Sequence, residues 1–220
     1  MAGLTAHKII FDLDGTLVDT APDLTAAMNH VLNTIDRPSV AEEHVRHMVG
    51  HGARKMLETG LDFTGGRDDH DLAALHQAFL RFYADNIAVS STPYSGCEAM
   101  LQRLSDAGIL MAICTNKPIG LALPLLEKLN ITHYFNCIKG GDSFAFKKPD
   151  GRHIIHTAAE LTGDGDIIMV GDSITDIKAA QSANVPSIAV TFGYSDPPAA
   201  TLGADYTVDC LSEIPTLLGL

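Results

Sequence analysis

Hydrophobic positions along this chain keep two rhythms. Unbroken apolar runs at residues 9–11, 110–114 and 167–170 have the length of strands buried on both faces, and residues 137–139 and 187–191, mixed in composition, read as further short strands. Between the later runs, apolar residues recur every three or four positions. This spacing covers residues 97–107, 119–129, a segment carrying Ile154, Ile155, Ala158 and Leu161, and residues 175–183; it predicts amphipathic helices. Strands alternating with helices predict an α/β fold on a doubly wound parallel sheet. Residues 206–208 and 214–218 are expected to close its edge.

One stretch interrupts the alternation. Leu24, Ala27, Met28, Val31, Leu32 and Ile35 follow helical spacing, with Pro22 suited to the first turn and Thr20 to the cap. Arg37-Pro38-Ser39 breaks the run. Short helices are expected at residues 42–49 and 53–58, on either side of Gly50-His51-Gly52. Gly65-Gly66 breaks the chain again. Leu72, Leu75, Phe79, Phe82 and Tyr83 then mark a longer helix ending near Asn86, and residues 90–96 are rich in turn formers. No strand is expected inside this stretch. The reading is therefore an α/β core of residues 1–17 and 89–220, with an all-helical domain, residues 18–88, inserted behind the first strand. Met28, Met48, Met56 and Met100 fall at core positions.

The polar residues that end the apolar runs carry the chemistry. The first run ends in Asp12-Leu13-Asp14-Gly15-Thr16. Residues two apart on a strand share a face, so both carboxylates reach one spot. There they repel unless a cation sits between them or one is protonated; this strand end asks for a metal, a proton or both. The run at 110–114 ends in Thr115-Asn116, Lys148 follows the third, and the run at 167–170 ends in Gly171-Asp172 with Asp176 four residues on. A doubly wound sheet binds ligands beyond the carboxyl ends of its strands, which places all four ends at one crevice.

Composition narrows the partners. The net charge is −12 and no basic block is present, so nucleic acid is not an expected partner. An anionic substrate has to be held by local charge against the overall field. Cys97, Cys114, Cys137 and Cys210 are widely spaced without a C-x-x-C pair, which suits reduced, mostly buried thiols rather than disulfides or structural zinc. No leader-like segment and no apolar run near the ~20 residues that span a bilayer is present. The expectation is a soluble cytoplasmic protein, a monomer or homodimer with no membrane partner. A metal role is not expected for His44, His47 and His51 or for His153 and His156.

Taken together and in this order, D-L-D-G-T at 12–16, T-N at 115–116, K-P at 148–149 and G-D-S-x-x-D at 171–176 resemble the motifs of the haloacid dehalogenase superfamily. The resemblance covers the whole chain, since the helical insertion is similar to the cap found after the first strand in one large subgroup. F-D-L-D-G-T-L-V-D-T, Gly50-His51-Gly52-Ala53 and V-G-D-S-x-x-D-I are most similar to the bacterial phosphoglycolate phosphatase branch. Gly151 stands where the superfamily often has a second proline.

The resemblance implies a Rossmann-like core and Mg2+-dependent hydrolysis of a small phosphomonoester. The first choice is 2-phosphoglycolate, cleaved to glycolate and phosphate through an aspartyl-phosphate. Asp12 is then the nucleophile and Asp14 the acid that protonates the leaving oxygen and later activates water. Mg2+ is expected between Asp12, Asp172 and the backbone carbonyl of Asp14, since magnesium takes few protein oxygens and keeps several waters. Thr115 and Asn116 are expected to donate to the phosphoryl oxygens, Lys148 to add fixed positive charge, and Gly15 to let the backbone approach phosphate closely. The motif selects Lys148 over Lys147. Asp176 is expected to orient Lys148 or a metal-bound water. In the cap, Arg54 is the candidate for a substrate carboxylate, with His51 equally open.

Other chemistries fit less well. A halide leaving group needs no acid, so Asp14 argues for a phosphate ester over a haloacid. Thr16 after Gly15 is the phosphatase form of the motif, where mutases carry a bulkier apolar residue. Other small phosphate esters, pyrophosphate or a sugar-phosphate mutase reaction use the same site. A phospho-aspartate receiver module shares the chemistry but lacks a helical insertion behind its first strand.

Overall fold

A computed structural model describes residues 6–67, 70–195 and 197–220. The chain opens with β1 (Lys8–Phe11) and a two-residue strand β2 (Val18–Asp19), followed by helices α1 (Ala21–Thr34), α2 (Glu42–Arg46), α3 (Ala53–Phe63) and α4 (Leu72–Asp85). It returns through β3 (Thr92–Pro93), which pairs antiparallel with β2. Then α5 (Cys97–Asp106), β4 (Leu110–Cys114), α6 (Ile119–Lys128), β5 (Cys137–Lys139), α7 (Arg152–Ala159), β6 (Ile167–Gly171), α8 (Ile174–Ala183) and β7 (Ser187–Val190) alternate. β8 (Tyr206–Val208) and α9 (Glu213–Leu217) complete it.

The large sheet is parallel throughout, in the order β5-β4-β1-β6-β7-β8. From β1 the chain steps outward through β4 to β5, then crosses to β6 on the other side of β1. The direction reverses between β1 and β6, the point where a doubly wound sheet opens a crevice at its strand ends. Phe11 pairs level with Ile113 of β4 and Val170 of β6. Asp12, Thr115 and Asp172 therefore leave the sheet along the same edge.

Strand alternation sorts the core into two layers. Ile9 and Phe11 pack with Met111, Ile113, Ile168 and Val170 under α5 and α6. Ile10 points the other way, with Ala112, Cys114 and Met169, against Ile154 and Ala158 of α7 and Ala179 and Ala180 of α8. Each such large side chain stabilises by roughly 1.5–3 kcal/mol when fully buried, and β1, buried along its length, is the common wall. The inserted helices join the first layer: Met28, Leu32, Leu57, Leu61, Phe79 and Tyr83 belong to the same apolar cluster as Phe11. Met48, Met56 and Met100 are buried with them.

The fold corrects the sequence reading in four places. Residues 18–19 are a strand, although no strand was expected there; a two-residue pair is too short to leave a periodic signal. Helix α3 runs on to Phe63 rather than stopping near residue 58, because Gly60 lies against Met28 and is tolerated in the helix interior. Residues 214–218 do not extend the sheet edge, which β8 alone forms; Glu213–Leu217 is a helix. Thr20 is the N-cap of α1, but its side chain makes no capping bond.

The end of β2 and the start of β3 are tied by a buried carboxylate. Asp23, in the first turn of α1, accepts from the amides of Ser90 (2.9 Å) and Ser91 (2.8 Å) and from the Ser91 hydroxyl (2.6 Å). This joint holds the outgoing and returning chains together. Asp23→Ala leaves the buried Ser91 amide and hydroxyl and the part-buried Ser90 amide without their acceptor, and is expected to destabilise by about 1–3 kcal/mol. Urea unfolding would show a lower midpoint at an unchanged m-value; an unmoved midpoint would mean that the joint bears no load.

Candidate active site

The crevice between β1 and β6 gathers the polar strand ends. Lys148, on the loop after β5, is buried with Nζ 2.8 Å from Asp12 Oδ1 and 2.6 Å from Asp176 Oδ1. Asp176 lies in the first turn of α8, and its Oδ2 accepts from the Ser173 amide (3.0 Å) and hydroxyl (2.6 Å). That is a capping box, which satisfies two donors at the helix start. Both Asp176 oxygens are thus committed. Asp172 Oδ1 accepts from Thr16 Oγ1 at 2.9 Å and its Oδ2 from the Tyr194 amide at 2.8 Å. Gly15 has φ +84°, and a Cβ there would sit 2.6 Å from Asp172 Oδ2; both the turn and the approach require glycine.

Charge in this crevice is out of balance. The carboxylates of Asp12, Asp172 and Asp176 are buried and offer oxygens within 4.8 Å of one another, with Lys148 the cation between two of them. Burial, opposed by Lys148 and reinforced by Asp176, pushes the Asp12 carboxyl up to about 6. Burial with the charges of Asp176 and Asp12 pushes Asp172 up to about 8. Asp12 Oδ1 lies near Lys148 but off the line of a hydrogen bond, and has no other donor. An all-oxygen set with an unsatisfied buried carboxylate suits a hard divalent cation. Asp12 and Asp172 have lone pairs left for it; Asp176 is taken by Lys148 and Ser173.

A second polar group faces the inserted helices. Lys117 Nζ lies 2.9 Å and 3.2 Å from the two Asp14 oxygens and donates to the Tyr83 hydroxyl of α4 at 2.9 Å. Burial favours the neutral amine, but Asp14 and Tyr83 outweigh it and hold Lys117 charged. Burial pushes the Tyr83 phenol up to about 12. Thr115 is buried, its Oγ1 accepting from the Lys117 amide at 3.2 Å. The Asn116 amide does not donate into the cavity. It donates to the carbonyls of Gly50 and Lys148, both at 3.0 Å, and so ties the loop before α3 to the core.

These groups line a cavity of about 40 Å³, with Asp12, Asp14, Thr115 and Lys117 on one side and Leu24, Val49, Met56 and Phe79 on the other. Arg54 and His51 are not among its lining residues. They line a wider outer cleft of about 360 Å³ with Lys55, His76 and Lys147, which meets the cavity at Gly52, Ala53, Asn116 and Pro118. The Arg54 side chain is 66% exposed and pairs with Glu58 at 3.3 Å.

A sequence model of the haloacid dehalogenase-like hydrolase family matches residues 9–190. The chain belongs to this family. It is 47% identical over 211 residues to a phosphoglycolate phosphatase of Agrobacterium fabrum, covering 95% of this chain and 91% of that one. It is 41% identical to a phosphoglycolate phosphatase of Caulobacter vibrioides, covering 96% and 90%. Among solved structures, a predicted phosphoglycolate phosphatase of Haemophilus somnus superposes with a TM-score of 0.88 at 28% identity, covering 96% and 97% of the two chains. In this haloacid dehalogenase-like hydrolase, then, the order of motifs along the sequence corresponds to one crevice. Among the described residues, no helix is long and apolar enough to cross a membrane.

Three residues at the crevice escaped the sequence reading. Lys117 sat in view beside Thr115-Asn116, but a lysine in a loop reads as solvated. Tyr83 showed as an apolar helix position, and only packing reveals its hydroxyl. Tyr194 gave no signal, although its hydroxyl binds the amides of Thr20 (2.6 Å) and Ala21 (3.0 Å) while its own amide holds Asp172.

The raised carboxyls make a pH prediction. A carboxyl whose folded pKa exceeds its unfolded 3.8 contributes stability at low pH that is lost as pH rises through the folded value, here about 6 and about 8. A bound cation removes that loss. The rise in Tm on adding Mg2+ is expected to grow from pH 6 to pH 8, measured by thermal unfolding with and without chelator. A shift independent of pH would place the cation away from Asp12 and Asp172.

Proposed function

We propose that this hydrolase cleaves 2-phosphoglycolate to glycolate and phosphate through an aspartyl-phosphate on Asp12, with Mg2+ as its metal. As a phosphoric monoester hydrolase of its family, the chain needs a nucleophile, an acid and charge compensation for the phosphoryl group. The observation that carries the reading is the meeting of Asp12, Asp14 and Thr115 at one small cavity, with Lys148 and Asp172 set against Asp12 behind its wall.

The steps follow from the groups present. An Asp12 carboxylate oxygen attacks phosphorus, and the bond from phosphorus to the ester oxygen breaks. The leaving alkoxide takes its proton from Asp14. Asp14 then accepts a proton from water, whose oxygen attacks phosphorus and frees phosphate from Asp12. The Thr115 hydroxyl and Lys148 stabilise the charge on the phosphoryl oxygens. Asp176 holds Lys148 in place, and Gly15 admits the phosphoryl group. Asp12 and Asp172, with the backbone carbonyl of Asp14, would hold Mg2+, which would supply Lewis-acid compensation of the phosphoryl charge.

The inserted helices act in this reading as a cap over residues 12–16. The cavity of about 40 Å³ is small beside the outer cleft of about 360 Å³, which it meets at Gly52, Ala53, Asn116 and Pro118. The outer cleft carries Arg54, Lys55 and Lys147 against Glu58 and Asp142, a local positive mouth on a chain of net charge −12. Such a mouth draws in an anion. His51 and Arg54 serve entry in this account rather than the reacting end.

The test is a panel of small phosphate esters and pyrophosphate assayed with Mg2+ and with chelator. 2-Phosphoglycolate is expected to give the highest kcat/KM, and turnover to vanish in chelator and return with Mg2+. Asp12→Asn is expected to lower kcat by at least about 10³-fold. Wild-type activity in that variant would end the nucleophile assignment, and an equal response to every ester would end the substrate assignment while leaving the reaction class.

A further inference from the structure

Among the described residues that line the inner cavity, Lys117 is the one cation. Lys148 is committed to Asp12 and Asp176 behind it, and Arg54 stands outside on an exposed ion pair. A substrate that enters with its phosphoryl group on Asp12 and carries a second anionic group has to place that group against something. Most of the remaining wall is apolar: Leu24, Val49, Met56, Phe79 and Leu121. A buried carboxylate against such a wall is costly unless paired and hydrogen-bonded.

We propose that Lys117 and Tyr83 form the receptor for the substrate's carboxylate, making Lys117 a specificity determinant. The assignment rests on the reading of the substrate as a carboxylated phosphomonoester. Lysine has three donors on a compact charge; here they go to the two Asp14 oxygens and the Tyr83 hydroxyl, so a carboxylate reaches Lys117 by displacing one Asp14 oxygen. Tyr83 accepts from Lys117, which leaves its own proton to donate. The two side chains together offer a carboxylate one ionic and one neutral hydrogen bond. Lys117 is bonded to Asp14, and both line the same cavity as Asp12, so a carboxylate on Lys117 sits beside the acid that serves the ester oxygen. Tyr83 belongs to α4 and Lys117 to the loop after β4, so the receptor is complete only with the helices seated on the core.

The closing experiment compares 2-phosphoglycolate with ethyl phosphate, which keeps the ester and lacks the carboxylate. Wild type is expected to prefer 2-phosphoglycolate. Lys117→Gln is expected to lose kcat/KM on 2-phosphoglycolate by at least about 30-fold more than on ethyl phosphate. Tyr83→Phe removes only a hydroxyl, keeps the packing, and is expected to show the same selectivity loss at about 5-fold. Equal losses on both esters in both variants would mean that Lys117 serves Asp14 alone, and would overturn the receptor while leaving the substrate assignment intact. A wild type that does not prefer the carboxylated ester would overturn the substrate assignment and the receptor with it.

Discussion

One buried lysine stands among three buried carboxylates, and much of this structure follows from that shortage. Lys148 is shared by Asp12 and Asp176, and Ser173 takes the remaining Asp176 oxygen. Asp12 and Asp172 are left with more negative charge than their surroundings compensate. Burying ionised groups without partners is costly, and burial with the neighbouring carboxylates raises both carboxyls above the ordinary range. The backbone accommodates this cluster at glycines. Gly15 turns with positive φ under Asp172, and Gly171 leaves the space that the Asp176 side chain fills. Any side chain at either position would push a carboxylate out of line.

The second constraint is the seating of the helices. Their apolar faces merge with the layer over β1, but the joints that place them are polar. Asp23 ties α1 to the returning chain. Asn116 reaches Gly50, and Lys117 reaches Tyr83. Tyr194 binds Asp19 and the first amides of α1 through its hydroxyl, while its own amide holds Asp172. A shift of α1 is therefore felt at a carboxylate of the crevice. Hydrogen bonds of this kind are directional and each contributes modestly, about 0.5–1.5 kcal/mol. Such joints fix an orientation that apolar contact alone leaves loose.

Much of this was legible along the chain. The strand at Leu110–Cys114 appears with the bounds that its apolar run suggests, because buried parallel strands show as unbroken runs. The polar groups at the ends of those runs stood out for the same reason: charge directly after a buried strand has no packing explanation. Lys117 was illegible because nothing local separates a buried lysine from a solvated one. Asn116 was read as a donor to the ligand because amide chemistry permits it; the structure spends both hydrogens on carbonyls. The β2–β3 pair was too short for any periodic signal.

By itself, then, the sequence determined the doubly wound sheet, the helical insertion and the carboxylates and threonine at the strand ends, while Lys148 was picked out only by likeness to the family motif. These are properties of local periodicity and of residue type at the boundary of a buried segment. The tertiary structure alone decided which side chains meet across the insertion. It put Lys117 against Asp14 and Tyr83, placed Arg54 outside the cavity, and enclosed a space of about 40 Å³. Those outcomes depend on how four helices pack onto a strand edge, and contacts between residues tens of positions apart leave no mark in the spacing of either segment.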